Sequence, residues 1–346
     1  MFPTNDKRFG VCFDFSVTGD KITDYQTHKL SDNLWYYDYT FSPHGTPNAV
    51  GRTLEPKESP LQYQMVWNAK AYIGTSGTAE LGSIAATWPS KKWLIGNEPD
   101  VASQTNNTPN EYAQGYNRAY NTIKTSDPTA LVYFGGIGQM SPMRMRWLTD
   151  TYNEYYTLYG SVLPCDGMHS HAYIIQETPG SGIGYAVGVS GTSDARGGTA
   201  WSNHTNFEVL KEDVKRLRQW MKDLNWENKP LVISEYGSLL PAEGWNSTPE
   251  VQGQYLQDSF NFFLTYSDST GCPLDENRLV QEFSWFSLNF TGFMDGRLFV
   301  PELGELGQYY RDFYYSDYFP QSLSNEDNND LYQENLYQLK TGKNYG

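Results

Sequence analysis

From residue 205 onward, apolar side chains return every three or four positions: Phe207, Leu210, Val214, Leu217, Met221 and Leu224, with Lys and Glu between them. That period predicts a helix with one buried face, and Thr205-Asn206-Phe207-Glu208 reads as the capping box at its start. Three more helix starts pair a hydroxyl with a proline: Thr108-Pro109-Asn110-Glu111, Ser141-Pro142 and Thr248-Pro249-Glu250. Proline fits there because N–H groups of the first turn have no partner within the helix. Short, nearly continuous apolar runs lie between the helices, at 9–15, 34–41, 61–67, 93–97, 131–134, 167–174, 231–236 and 280–288. They read as strands buried on both faces, and strands alternating with helices imply a parallel sheet. Eight such units in 346 residues predict a single-domain (β/α)8 TIM barrel over 1–320. The last barrel helix is expected at 301–315, and the polar, then Tyr-rich stretch 321–346 reads as a C-terminal extension or linker. The Gly- and Ser-rich stretch 180–198 reads as a long loop of the kind that shapes a cleft or stays mobile rather than packing.

Charge narrows the partners. A formal charge of −15 argues against a nucleic-acid backbone, which needs clustered Lys and Arg. No apolar run approaches the roughly 18 residues of a membrane span, and the first residues carry no charged and apolar signal-peptide pattern. The three cysteines, Cys12, Cys165 and Cys272, allow at most one bridge. With 27 Tyr and 10 Trp the chain holds more rings than a core requires, and partly apolar rings are what stack on sugar faces.

The stretch WLIGNEPD, residues 93–100, ends an apolar strand with an amide, a carboxylate and a proline. In a barrel of this type active sites lie at the C-terminal ends of the strands, so acidic residues there are candidates. Glu98 closes strand four, with Pro99 turning the chain behind it, and Glu235 closes strand seven in LVISEYG. Strands four and seven face each other across the barrel mouth. A loop-end Glu ordinarily caps a helix or pairs with a base, but two of them on opposed strands favour chemistry. Acetal hydrolysis needs such a pair, one carboxyl giving a proton to the leaving oxygen while the other attacks or supports the cationic carbon.

On these residues the chain resembles the retaining β-glycosidases of glycoside hydrolase clan A, whose hallmark is Asn-Glu ending strand four and Glu ending strand seven. The resemblance implies that Glu98 is the general acid/base, Glu235 the nucleophile, and Asn97 a ligand of the sugar 2-hydroxyl. It extends to the His-x-Tyr of His171-Ala172-Tyr173 and to Trp285, which it implies floors the −1 subsite. By the two-residue strand period, residues 169, 171 and 173 share a face, so Tyr173 can donate to Glu235 and His171 can reach Glu98 or the sugar. Two departures stand out: strand two reads WYYDYT where many clan members place an arginine, and strand three ends Val66-Trp67-Asn68 rather than in a histidine. The runs LWYYDYTFSP, QYQMVWN, WLIGNEPD and CDGMHSHAY resemble the family 128 endo-β-1,3-glucanases, although Gly96 stands where that family usually has an aromatic.

The expected activity is therefore retaining, endo-acting hydrolysis of a β-linked polysaccharide, with β-1,3-glucan first. An endo-β-mannanase or another β-glycanase of the clan is the alternative within the class. Outside it stand a non-catalytic carbohydrate-binding protein and a metal-dependent hydrolase built on His169-x-His171. Trp67 and, less directly, Trp201 and Trp245 are candidate stacking walls. The expected protein is an extracellular monomer, any export signal being removed before this sequence begins, with no cofactor, no metal, and a β-glycan as its only partner.

Overall fold

The computed structural model describes residues 8–13, 22, 25–31, 34–40, 62–74, 77–197, 204–240, 247–290, 296–300 and 302–318. Each predicted apolar run supplies one strand of a single parallel sheet: β1 (Phe9–Cys12), β2 (Trp35–Tyr37), β3 (Gln64–Val66), β4 (Lys92–Ile95), β5 (Leu131–Gly135), β6 (Gly167–His171), β7 (Leu231–Tyr236) and β8 (Glu282–Trp285). Their order is β2-β1-β8-β7-β6-β5-β4-β3. The two ends meet through a parallel bridge between Tyr36 and Gln62 and through hydrogen bonds from Tyr63 N to Tyr36 O (2.9 Å) and Met65 N to Thr40 O (2.8 Å). The sheet thus closes into the (β/α)8 barrel.

Strand side chains alternate between two apolar layers. Val11, Trp93, Phe134, Ile233 and Phe283 face the helices, while Cys12, Leu94, Tyr133 and Val232 fill the barrel interior. At the N-terminal end the interior is closed by Trp35 stacked on Tyr63 (centroids 4.4 Å apart) and by Lys92, which pairs with Glu282 and donates to Tyr63. Gly10 makes room for this plug, since a β-carbon there would lie 2.3 Å from the Trp35 ring.

The surrounding helices are α1 (Thr78–Thr87), α2 (Pro109–Ser126), α3 (Pro142–Tyr159), α4 (Phe207–Asp223), α5 (Pro249–Thr265) and α6 (Glu305–Asp312). All three hydroxyl-proline starts cap as predicted, and Thr108 with Glu111 forms the reciprocal box. The start of α4 differs: Asn206, not Thr205, is the cap, its carboxamide oxygen accepting from Glu208 N and Val209 N. Asn caps at least as well as Thr, and the buried face of Leu210, Val214, Leu217 and Met221 is unchanged by that one-residue shift. The last helix begins at Glu305 rather than 301 and widens into a π-helical turn over Phe313–Tyr318. The extension at 321–346 lies outside the described residues.

The loop after β6 is better anchored than its composition implies. Arg144 donates to Gly184 O, Arg146 to Ser190 O and to Asp194, and Arg196 to Gln139 and Asp213. Its Gly and Ser residues serve as backbone acceptors for arginines, so the segment packs over α3 instead of standing free. All three cysteines are buried and unbridged.

Candidate active site

The chain reaches Glu98 through a break. Regular pairing in β4 stops at Ile95, three residues short of Glu98, because Gly96 adopts φ +96°. The backbone still bridges its neighbours while turning: Gly96 N and Asn97 N donate to Val66 O and Trp67 O, and Glu98 N donates to Gly136 O, each at 2.8 Å. Glu98 itself sits at φ +44°, in the left-handed region that costs a residue with a β-carbon roughly 1–3 kcal/mol. Gly96 cannot readily be replaced. A β-carbon there would lie 2.8 Å from the Tyr112 ring, which is locked by its hydroxyl donating to Ile95 O and accepting from Gly135 N. Gly96→Ala is expected to destabilise the protein by about 1–3 kcal/mol through overpacking and strain, read as a lower urea midpoint. An unchanged midpoint would show that the Tyr112 ring yields.

Glu235 reaches the mouth by a different device. Strict alternation along β7 would send it outward, since Val232 faces the interior and Leu231 and Ile233 face the helices. The pairing instead slips: Ile233 opposes Ser170 and Phe283, but His171 opposes Glu235 and Trp285 opposes Tyr236. Both neighbours see one extra residue at Ser234-Glu235, a β-bulge of the kind that re-aims side chains beside active sites. Ser234 then contacts His169, Glu235 turns into the mouth, and Tyr236 returns to the helix layer.

His171 stands between the two carboxylates. Its Nδ1 lies 3.1 Å from Glu98 Oε1 in a hydrogen bond. Its Nε2 lies 3.0 Å from Glu235 Oε2, off the line of a hydrogen bond, so that contact is electrostatic. Glu98 and Glu235 are thus one imidazole ring apart, at 7% and 6% exposure. Tyr173 donates to Glu235 Oε1 (2.9 Å), Tyr37 to Oε2 (3.0 Å), and Tyr39 approaches Oε1 at 3.4 Å.

Burial opposes charge throughout this cluster. It raises the Glu235 pKa, as does the negative charge of Glu98, while His171 and the hydroxyls of Tyr173 and Tyr37 pull it back down. For His171 burial favours the neutral ring, but Glu235 and Glu98 outweigh it and hold the imidazolium to a pH above its ordinary value. Burial and the adjacent carboxylate push the three tyrosines well above the usual phenol range, keeping them O–H donors.

The other predicted residues divide. Asn97 lies beside Glu98, nearly buried, its amide reaching Gln104 (3.4 Å) and its Oδ1 without a hydrogen-bond partner among the described residues. Trp67 accepts from Asn97 N through its backbone carbonyl, and the residue is 41% exposed. Trp285 does not floor the mouth. It is fully buried in the layer between barrel and helices, donates to Gly296 O (2.8 Å) and packs on Tyr236. The parity of β8 explains the correction: Phe283 and Trp285 point outward, and Phe286 faces the interior, edge-on to Tyr173. His169 is a core histidine, bonded to Ser234 and to Ile95 O, with its pKa lowered to about 3 by burial. Among the described residues no cluster of three His, Cys, Asp or Glu could hold a metal. Trp201 and Trp245 lie outside the described residues.

Residues missing from the sequence reading complete the site. Tyr37 ends β2 and Tyr39 lies two residues beyond it, where the clan resemblance leads one to look for an arginine; their spacing of two was the available signal. Behind Glu98, Asp100 and Glu177 clasp the fully buried Arg144.

Residues 10–178 match the family described as glycosyl hydrolase catalytic core, a span that contains Glu98 and stops short of Glu235. No curated protein matches the chain. Among solved structures, a GH128 (subgroup II) endo-β-1,3-glucanase from Pseudomonas viridiflava aligns at 19% identity over 88% of this chain and 97% of its own, with a TM-score of 0.57. A GH128 (subgroup III) curdlan-specific exo-β-1,3-glucanase from Blastomyces gilchristii, in complex with glucose, aligns at 16% identity over 89% and 99%, TM-score 0.53. A GH128 (subgroup I) endo-β-1,3-glucanase from Amycolatopsis mediterranei, in complex with laminaritriose, aligns at 16% over 88% and 98%, TM-score 0.51. At these identities the likeness is one of fold.

Proposed function

We propose that the protein is a retaining, endo-acting glycoside hydrolase whose substrate is β-1,3-glucan. The observation that carries this reading is the meeting of Glu98 and Glu235 on the two nitrogens of His171 at the C-terminal mouth of the barrel. Glu98 gives its proton to the glycosidic oxygen as the bond to the anomeric carbon breaks, and Glu235 forms a new bond to that carbon. The glycosyl-enzyme has lost the charge of Glu235. Glu98, now deprotonated, takes a proton from water, which attacks the same carbon and releases Glu235. Carboxyls roughly 5–5.5 Å apart suit this double displacement, against roughly 6.5–9.5 Å for single inversion. In this reading Asn97 bonds a sugar hydroxyl through its Oδ1, which has no hydrogen-bond partner among the described residues, and the exposed Trp67 stacks on a sugar. The glucan is chosen because the similar folds cited above are described as β-1,3-glucanases. In this reading the enzyme acts outside the cell, as a monomer without cofactor or metal. Among the described residues no helix is long and apolar enough to cross a membrane.

Hydrolysis of a panel of purified β-glycans tests the reading. β-1,3-glucan is expected to give short oligosaccharides of mixed length, with the first-formed products in the β configuration by proton NMR. Initial α products would end the retaining claim. Release of glucose alone would replace endo by exo action, and turnover confined to mannan or xylan would replace the substrate.

A further inference from the structure

We infer that Tyr37 and Tyr39, with Cys12 acting through Tyr39, are positioning residues that hold the Glu235 carboxylate in its attacking orientation by neutral hydrogen bonds. The inference rests on the assignment of Glu235 as nucleophile. A carboxylate offers about four acceptor sites. Tyr173 is aimed at one, and Tyr37 and Tyr39 approach two more, Tyr37 at Oε2 (3.0 Å) and Tyr39 at Oε1 (3.4 Å). No lysine or arginine among the described residues hydrogen-bonds or ion-pairs with it; the one cation in contact is His171.

Two features set Tyr39 apart from a core tyrosine. Its backbone has φ +63°, a conformation that a bulky side chain rarely adopts and that clusters where function requires it. Its oxygen also accepts a hydrogen bond from the buried Cys12 thiol (2.9 Å). The order of donation is therefore Cys12 to Tyr39 to Glu235, and a hydroxyl that accepts is the better donor. The ring of Tyr39 lies edge-on to Tyr37 with centroids 5.3 Å apart, so the two hydroxyls are held by one aromatic contact.

The groups around Glu235 come from several elements: Tyr37 from β2 and Tyr39 two residues past it, Glu98 after β4, His171 from β6 and Tyr173 two residues beyond it, while Cys12 of β1 reaches Tyr39. Burial and the neighbouring carboxylate push the three tyrosine hydroxyls well above the phenol range, so they stay protonated and favour the carboxylate. Loss of a hydroxyl makes the charged form of Glu235 harder to keep, so activity that needs the carboxylate fails at a higher pH on acidification.

The test compares the full chain with Tyr37→Phe, Tyr39→Phe and Cys12→Ala, using Glu235→Gln as the reference. Two quantities are read: the pH dependence of kcat and KM on β-1,3-glucan oligosaccharides, and the titration of Glu235 by carbon-13 NMR of labelled glutamate, its signal identified by loss in Glu235→Gln. Each Phe variant is expected to lower kcat about tenfold to a hundredfold, the scale of a hydrogen bond to a charged group. KM should change little, and both the acid limb and the carboxyl titration should move to higher pH. Cys12→Ala should act in the same direction, less strongly, and add nothing in a Tyr39→Phe background. Wild-type acid limbs and carboxyl titrations in both Phe variants overturn the inference, even if their urea midpoints fall. If Glu235→Gln itself keeps wild-type turnover, the nucleophile assignment fails instead, and the carboxyl titration still decides whether these hydroxyls hold the charge.

Discussion

Glu235→Gly is expected to be inert toward β-1,3-glucan and, given azide, to produce a glycosyl azide of inverted configuration. The shortened side chain opens a space on the face of the sugar from which Glu235 would attack, while Glu98, across His171, still gives its proton to the leaving oxygen. Azide then completes a single displacement and stops there. Glu98→Gly should behave differently. On a substrate whose leaving group needs no proton, Glu235 still forms the glycosyl-enzyme, and azide entering from the Glu98 side gives retained configuration. Removing the nucleophile should lower kcat by roughly 10⁴- to 10⁶-fold, and removing the acid/base by roughly 10²- to 10⁴-fold on natural glucan. The anomeric coupling in the proton NMR spectrum of each azide product is the measurement. Retained product from Glu235→Gly would exchange the two roles, and wild-type turnover in either variant would take that residue out of the reaction.

The barrel was legible because its strands are short apolar runs that differ in kind from the amphipathic helices between them. Parity at the strand ends was not. Two-residue periodicity places Glu235 toward the helices once Val232 is known to face inward; only the bulge at Ser234-Glu235 turns it round, and no residue type announces that bulge. The same parity rule, applied to β8, would have moved attention from Trp285 to Phe286. Resemblance supplied the tryptophan and the fold buried it. Glu98 was singled out by its place at the end of an apolar run, yet the left-handed backbone at Gly96 and Glu98 that aims it is invisible without coordinates. Capping signals fared well because they act within four residues, where sequence distance and spatial distance coincide. Arg144, by contrast, reaches a carboxylate 44 residues before it and another 33 residues after it, and nothing in its helical surroundings distinguishes it from a surface arginine.

Arg144→Met is expected to cause the largest loss of stability. The guanidinium is fully buried and pairs with Asp100 and Glu177, also fully buried, while donating to Asp100 O (3.1 Å) and Gly184 O (2.7 Å). Methionine fills much of the volume but leaves two carboxylates without a cation, which costs about 3–5 kcal/mol. Burial already raises the Asp100 pKa, with Arg144 pulling it down, so the variant raises it further. A carboxyl with a folded pKa above its unfolded one binds more protons when folded, and its share of stability falls as pH rises through that window. The gap between variant and wild type should therefore narrow on acidification toward the ordinary carboxylate range and widen toward neutrality. Replacing all three charges with apolar residues should not restore stability, because Asp100 also accepts from Gly138 N, and Glu177 from Ser141 Oγ and Arg196 N. Activity should fall as well, since Asp100 is two residues from Glu98 and fixes the turn that carries it. Urea midpoints at several pH values check the claim. A gap that stays constant or widens on acidification would mean that the loss comes from packing around Arg144 and not from its charge.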